Sequence, residues 1–262
     1  MGTTEALFDA NRLLLQAQAY WWPFCRILAV LTLAPVFSHS AVSIRIRVLL
    51  ALALTLALGG ALPAPPTLEA LSLAGILATL EQLAFGVMLG LALQLVFTVY
   101  SVIGETISTQ MGMSMARYND PQNGVSSSSV LYQVYYTMLV LMFFAIDGHL
   151  VLISVLYQSF IFWPIGAGIH FTGLTSTLQA LSWALSAAVM VSLPLVFCMT
   201  LVLFGFGLLN RISPAMNLFA LGFPIAILTG WIGIFLTLPN LAETYLLLTR
   251  QMLDNLNEVL RS

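Results

Sequence analysis

Long apolar runs dominate this sequence and restrict the folds open to it. A helix needs about 20 apolar residues to cross the hydrocarbon core of a bilayer. Six runs reach that length, namely Leu13–Phe37, Val42–Leu62, Ala70–Ile103, Val130–Trp163, Leu178–Leu209 and Leu218–Leu241. Lipid offers no partner to unpaired backbone groups, and the runs lack the alternating pattern of a β-barrel strand, so we expect helices. The sequence therefore predicts an all-α, polytopic membrane protein of about six apolar helical segments.

Several of these segments are predicted to be kinked or broken. The third, fourth and fifth runs exceed one bilayer crossing, so they must tilt, break or extend beyond the membrane. Proline kinks helices because it lacks a backbone donor. Prolines lie within or beside the runs at Pro23, Pro35, Pro164, Pro194 and Pro224. We find no sign of a soluble second domain and expect a single membrane domain over residues 1–262.

Charged residues are too scarce for a soluble globule. They make up 7% of the chain, and hydrophobic residues make up 60%. A soluble domain usually carries about 25% charged residues. The apolar side chains therefore need membrane lipid or a large protein partner around them. All eight basic residues are arginines. They are too few for a face that neutralises phosphates, so we expect no nucleic-acid partner.

The sequence contains no residue pattern typical of an enzyme. The strongest candidate is Asp147-Gly148-His149, in which Asp147 would orient His149 as a base. Residues i and i+2 of a helix point apart, however, and no nucleophile motif, metal-ligand spacing or phosphate-binding glycine loop accompanies the pair. We therefore predict a non-enzymatic protein without catalytic residues, cofactor or metal. Asp147 and His149 are then structural or subunit-contact residues.

Two charged residues lie inside apolar runs, where polar groups often mark function. Arg26 is in the first run, and Glu81 is in the third with Gln82 beside it. In a functional interpretation, Arg26 and Glu81 form an intramembrane ion pair or part of a proton path. In a structural interpretation, which we favour, they make packing contacts between subunits or extend to the membrane interface.

Gly86 and Gly90 form a G-x-x-x-G pair in the third run. Small residues at this spacing let two helices approach closely in lipid. The pattern is common by chance, so it indicates a helix interface only weakly.

The C-terminal residues 243–262 change character and predict an amphipathic helix. Leu246, Leu253, Leu256 and Leu260 recur at helical spacing, opposite Arg250, Asp254, Asn257 and Arg261. Such a helix either lies on a membrane surface or docks on a partner.

One long polar stretch, rich in Gly, Ser, Asn and Gln, separates the third and fourth runs. It contains Gln110-Met111-Gly112-Met113-Ser114-Met115, in which three methionines alternate with small or polar residues. Thioether side chains are flexible and polarisable, so they can seal against an irregular surface and release it. The alternative is that these methionines only fill the end of a helix.

An ordered series of short motifs resembles the FliR/MopE/SpaR family, the FliR-type subunit of the flagellar type III export gate. The motifs are Gly104-Glu105, Gln110-Met111-Gly112, Asp120-Pro121, Asp147-Gly148-His149-Leu150, Pro164-Ile165-Gly166, Leu208-Leu209-Asn210-Arg211-Ile212-Ser213-Pro214 and Gly222-Phe223-Pro224. Each motif is short, but their joint order covers nearly the whole chain. The chain departs from the family at Asp147, where an asparagine is often found.

The resemblance implies a non-enzymatic subunit of the export gate in the bacterial inner membrane, at the flagellar basal body. Such a subunit helps to form and close a passage for unfolded flagellar proteins. The implied partners are FliP-like and FliQ-like subunits and an FlhB-like export component. Residues 104–125, and within them Ile107–Asn123, resemble the family's plug, which places Gln110, Met111, Gly112, Met113, Met115, Asp120 and Pro121 in a gate.

The same resemblance implies subunit contacts near the last inter-helix turn. Asn210, Arg211 and Pro214 would lie in that turn, and Pro224 would lie shortly after it. Two alternatives stay open. One is the equivalent subunit of a virulence type III secretion system. The other, from a different class, is a small-solute transporter, although we find no paired halves of inverted-repeat character.

Overall fold

The computed structural model describes residues 19–63, 72–113, 129–166, 168, 171–212 and 218–261. These described residues form helices and turns without a β-strand. The helices are α1 (Ala19–Leu33), α2 (Ile44–Leu58), α3 (Leu73–Gln110), α4 (Val130–Ala145), α5 (Gly148–Phe162), α6 (Phe171–Ile212) and α7 (Leu218–Arg261). Every apolar run thus contains a helix, and the predicted all-α class is confirmed.

The fourth apolar run is broken, as its length allows. α4 begins after Ser129, whose Oγ accepts a hydrogen bond from the N–H of Tyr132 at 3.1 Å and so caps the helix. The break falls at Ile146 and Asp147, and Asp147 has φ 56°. Aspartate tolerates this left-handed conformation better than most residues. This residue therefore interrupts the helix before α5 begins at Gly148.

Three helical stretches are long and apolar enough to cross a membrane, namely Leu73–Gln110, Gln179–Leu209 and Gly222–Glu258. The pair α4 and α5 is a fourth candidate if it acts as one broken span. By contrast, α2 has 15 residues and the described part of α1 covers only Ala19–Leu33. The described helices thus include three or four candidate spans plus shorter apolar helices.

The chain divides into two compact units. Unit 1 comprises Met1–Gln94, Asp147–Ala180 and Met252–Ser262. Unit 2 comprises Leu95–Ile146 and Leu181–Gln251. The core of unit 1 includes Trp22, Arg26 and Ile27 of α1 and Leu89 of α3. A charged side chain in this core needs partners, which the next section describes.

The core of unit 2 is aromatic. Phe97 and Tyr100 of α3 pack with residues of α4 and α7. The ring centroid of Tyr100 lies 6.4 Å from that of Tyr245 and 6.3 Å from that of Tyr135. Phe97 makes an edge contact with Phe143 at 6.2 Å. Rings at these distances stabilise a core beyond the area they bury.

Residues 243–261 are helical, as predicted, but they continue a longer helix instead of forming a separate one. α7 runs without a break from Leu218 to Arg261, although Pro224 and Pro239 lie inside it. Its buried residues here are Tyr245, Leu248, Met252 and Leu256. Leu246 is 37% exposed, and the amphipathic character of residues 243–262 stays a prediction.

Candidate functional site

Arg26 lies at the centre of a polar cluster inside unit 1. Its side chain is 0% exposed. Nε donates to Oε1 of Gln82 at 2.7 Å, and Nη1 donates to the carbonyl of Ser159 at 2.8 Å and to Oγ of Ser159 at 3.3 Å. Nη2 donates to the carbonyl of Trp163 at 2.8 Å. The planar guanidinium therefore donates hydrogen bonds to acceptors of α3 and of the end of α5.

The end of α5 explains why a cation is stable there. The last carbonyls of a helix have no intrahelical partner and carry partial negative charge. Arg26 donates to two carbonyls at the α5 terminus, that of Trp163 and that of Ser159, which also accepts from the N–H of Trp163. Its Cζ also lies 4.2 Å from the ring centroid of Phe160 and 5.3 Å from that of Phe85. Aromatic faces favour a cation at these distances.

Glu81, the residue before Gln82 in α3, completes the cluster. Its Oε1 accepts from Nε2 of Gln82 at 3.2 Å and from the N–H of Gly166 at 3.2 Å. Its Oε2 accepts from the N–H of Gly168 at 3.2 Å. Gln82 thus connects the positive and negative groups, because its carbonyl faces Arg26 and its amide faces Glu81.

The structure brings the two predicted charged residues, Arg26 and Glu81, into one polar cluster of unit 1 through Gln82. Arg26 lies inside unit 1, where its side chain has no exposed surface and donates to groups of α3 and of the end of α5. Sequence reasoning had not identified Ser159, Trp163 and Phe160 as its partners. The only available signal was the motif Pro164-Ile165-Gly166, which directly follows them. The roles of Arg26 and Glu81 in transport stay predictions.

The G-x-x-x-G pair marks a close helix contact inside unit 1. A Cβ on Gly86 would lie 2.5 Å from Cβ of Ala29 and 2.6 Å from the carbonyl oxygen of Arg26. A Cβ on Gly90 would lie 2.8 Å from Cβ of Leu33. α1 therefore packs directly on the backbone of α3, and this close approach brings Arg26 to Gln82.

The start of the predicted plug lies in unit 2 and is partly helical. Residues 104–110 form the last turns of α3, so the predicted loop begins later than expected. Met111 is 0% exposed, and a Cβ on Gly230 of α7 would lie 2.5 Å from its Cγ and Sδ. Gly112 has φ 73°, and a Cβ there would meet the ring of Phe223 at 3.0 Å. The turn Gln110–Met113 is thus fixed on α7.

Other predicted residues fall at helix ends or outside the described part. Asp147 precedes α5 and is exposed, and His149 is half-buried in its first turn. Asn210 and Arg211 belong to the last turn of α6 rather than to a loop, and Arg211 is exposed there. Pro224 lies within α7. Met115, Asp120, Pro121 and Pro214 lie outside the described residues.

Unit 2 also contains a cavity of about 190 Å³. Its polar lining includes Tyr100, Tyr135, Ser192, Asn240 and Thr244, all of them neutral groups. Among the described residues, no group of three or more His, Cys, Asp or Glu side chains is placed to hold a metal ion.

The sequence of this chain is similar to a known protein family and to several relatives. The family described as "Bacterial export proteins, family 1" matches residues 17–252. The flagellar biosynthetic protein FliR of Pectobacterium carotovorum subsp. carotovorum is 33% identical over 242 residues, 92% of each chain. FliR of Escherichia coli (strain K12) is 32% identical over 212 residues, 80% of each chain. FliR of Bacillus subtilis (strain 168) is 28% identical over 218 residues, 82% of this chain and 83% of that protein. This chain therefore belongs to family 1 of the bacterial export proteins.

Proposed function

We propose that this chain is a non-enzymatic subunit of the flagellar type III protein export gate in the bacterial inner membrane, at the flagellar basal body. The observation that carries the proposal is its 33% identity to a flagellar biosynthetic protein FliR over 92% of both lengths. Its three or four membrane-capable helices agree with a membrane location. No cofactor is required by this function.

In the proposed mechanism, the chain helps to form and close a passage for unfolded flagellar proteins. The stretch 104–125 acts as the plug. Met111 supports this role, because its buried side chain against Gly230 fixes the start of the stretch on α7. The residues beyond that anchor, which include Met115, Asp120 and Pro121, then close the passage until a substrate or partner displaces them.

FliP-like and FliQ-like subunits and an FlhB-like component are the proposed partners. Exposed apolar side chains support this proposal, because partner subunits or lipid would cover them. Large ones line α6 and α7 within unit 2, including Met190, Phe197, Phe204, Phe235 and Leu236. Leaving such area in water is unfavourable by roughly 25 cal/mol per Å². The proposed contact region near Asn210, Arg211 and Pro214 adjoins the end of α6.

Copurification tests this proposal. A tagged chain is extracted in mild detergent from cells that carry a complete flagellar gene set, and the accompanying proteins are identified by mass spectrometry. We expect FliP-like and FliQ-like subunits. Virulence secretion subunits in their place would support the injectisome alternative. A chain that is recovered without partners and transports a solute by itself in liposomes would establish the transporter alternative.

A further inference from the structure

The segment after α5 has little packing of its own. We call Trp163, Pro164, Ile165, Gly166 and Gly168 the α5 corner. Trp163 is buried, but Pro164, Gly166 and Gly168 are exposed. A Cβ added at Gly166 or Gly168 would meet nothing within 4 Å. Ile165 is half-buried, so side-chain burial secures the start of the corner but not its two glycines.

Hydrogen bonds to Glu81 secure the exposed end. The N–H groups of Gly166 and Gly168 donate to different oxygens of this carboxylate, each at 3.2 Å. The two glycines have φ 86° and 89°. Glycine adopts such angles without the strain that a Cβ would introduce. The positive φ values thus allow two nearby N–H groups to reach one buried carboxylate.

The start of the corner, at Trp163, is held by the positive charge of Arg26. Nη2 of Arg26 donates to the carbonyl of Trp163 at 2.8 Å. Gln82 joins the two ends, since it accepts from Arg26 at 2.7 Å and donates to Glu81 at 3.2 Å. Backbone acceptors of the corner therefore face a cation, and backbone donors face an anion.

We propose that Arg26, Gln82 and Glu81 form a clamp that locks the α5 corner onto α3 in one conformation. Charge-assisted hydrogen bonds, rather than packing of the corner's own side chains, hold the exposed glycines in place. A second part rests on the proposed function. The locked corner is required for the chain to enter the export gate and support export.

Hydrogen–deuterium exchange tests the clamp on the full chain purified in mild detergent, with wild type and variants prepared in the same way. In the wild type we expect slow exchange at the amides of Gly166 and Gly168 despite their exposure. Glu81→Gln keeps the side-chain shape but has one carbonyl oxygen for two donors, so exchange at the corner should accelerate about 10-fold or more. Gly166→Ala should do the same, because φ 86° is strained for alanine.

A matched control distinguishes loss of the clamp from the general effect of replacing a glycine with alanine. Gly207 of α6 also has open space at its Cβ position but has no positive φ in the structure, so Gly207→Ala should leave corner exchange unchanged. Fast exchange in the wild type, or slow exchange in both clamp variants, would overturn the clamp. If Glu81→Gln frees the corner but cells swim normally, the export part of the inference fails. The proposed function would still stand, since wild-type copurification tests it separately.

Discussion

At the scale of single residues, the buried arginine is the most consequential feature of unit 1. A charge in an apolar core is tolerated only when paired and hydrogen-bonded. Arg26 meets this condition through four hydrogen bonds to Gln82, Ser159 and Trp163 and through two aromatic faces. Its stability therefore depends on α1, α3 and α5 together.

Replacing Arg26 should destabilise the fold. Arg26→Met keeps much of the side-chain volume but leaves the carbonyl of Trp163 and Oε1 of Gln82 without the donors that Arg26 provides. Removing one member of a buried charged network costs about 3–5 kcal/mol. Thermal unfolding in detergent should show a clear decrease in Tm. Arg45→Met, at an exposed site in the first turn of α2, is the control and should change stability by no more than about 0.5 kcal/mol.

Glu81→Gln distinguishes the two interpretations of the buried pair. We expect lower protein level and weaker assembly together with reduced swimming, because the change removes a bond to the α5 corner. Quantitative blotting and copurification beside a swimming assay provide the measurement. Normal level and assembly with complete loss of export would instead favour a proton path through Glu81.

At the scale of helices, the contact between α1 and α3 allows the polar cluster to form. Gly86 and Gly90 permit a backbone approach that no larger residue fits. The sequence pattern could indicate such an interface but could not identify its partner, because G-x-x-x-G says nothing about the opposing helix. The helix α1 supplies that partner within the same unit.

Gly86→Ala should therefore destabilise the chain. Its new Cβ would lie 2.6 Å from the carbonyl oxygen of Arg26, a backbone atom that cannot rotate away. Overpacking of this kind typically costs about 1–3 kcal/mol. Gly207→Ala, with open space, is the matched control and should be neutral or stabilising, since alanine is the better helix former. Equal Tm values for the two variants would contradict the close packing.

The helices could be predicted from the sequence better than their ends. Apolar run length identified all six segments, and the excessive length of the fourth indicated a break. The end of α3 at Gln110 was not predictable, because the polar residues of its last turns resemble a loop. Met111 and Gly112 find their partners on α7, more than a hundred residues away, and local pattern contains no information about such contacts.

The polar cluster shows the same limit. Arg26 and Glu81 stood out because charge is rare in apolar runs. Their partners did not, since most of them are backbone carbonyls and N–H groups, which every residue has. Only the fold decides which backbone groups lie free at a helix end beside a charge.

At the scale of the whole molecule, Met111 and Gly112 hold the start of the proposed plug on α7. Deleting residues 114–123 leaves Met111 and Gly112 on α7 but removes Met115, Asp120 and Pro121 from the proposed plug. We expect normal assembly and a membrane that leaks ions, measured by the growth defect and the membrane potential of cells expressing the deletion. Deletion of residues that include Met111 should disturb assembly as well. A tight membrane with the 114–123 deletion would count against the plug.

The most direct measurement is complementation of swimming. A Pectobacterium or Escherichia coli strain that lacks its own FliR receives this chain, and swimming in soft agar is compared with that of the empty vector and of the Arg26→Met variant. The account predicts that the wild-type chain restores flagella and swimming, and that Arg26→Met restores little. A chain that reaches the membrane at normal level, copurifies with the host's export subunits and still gives no flagella would contradict the proposed role in export.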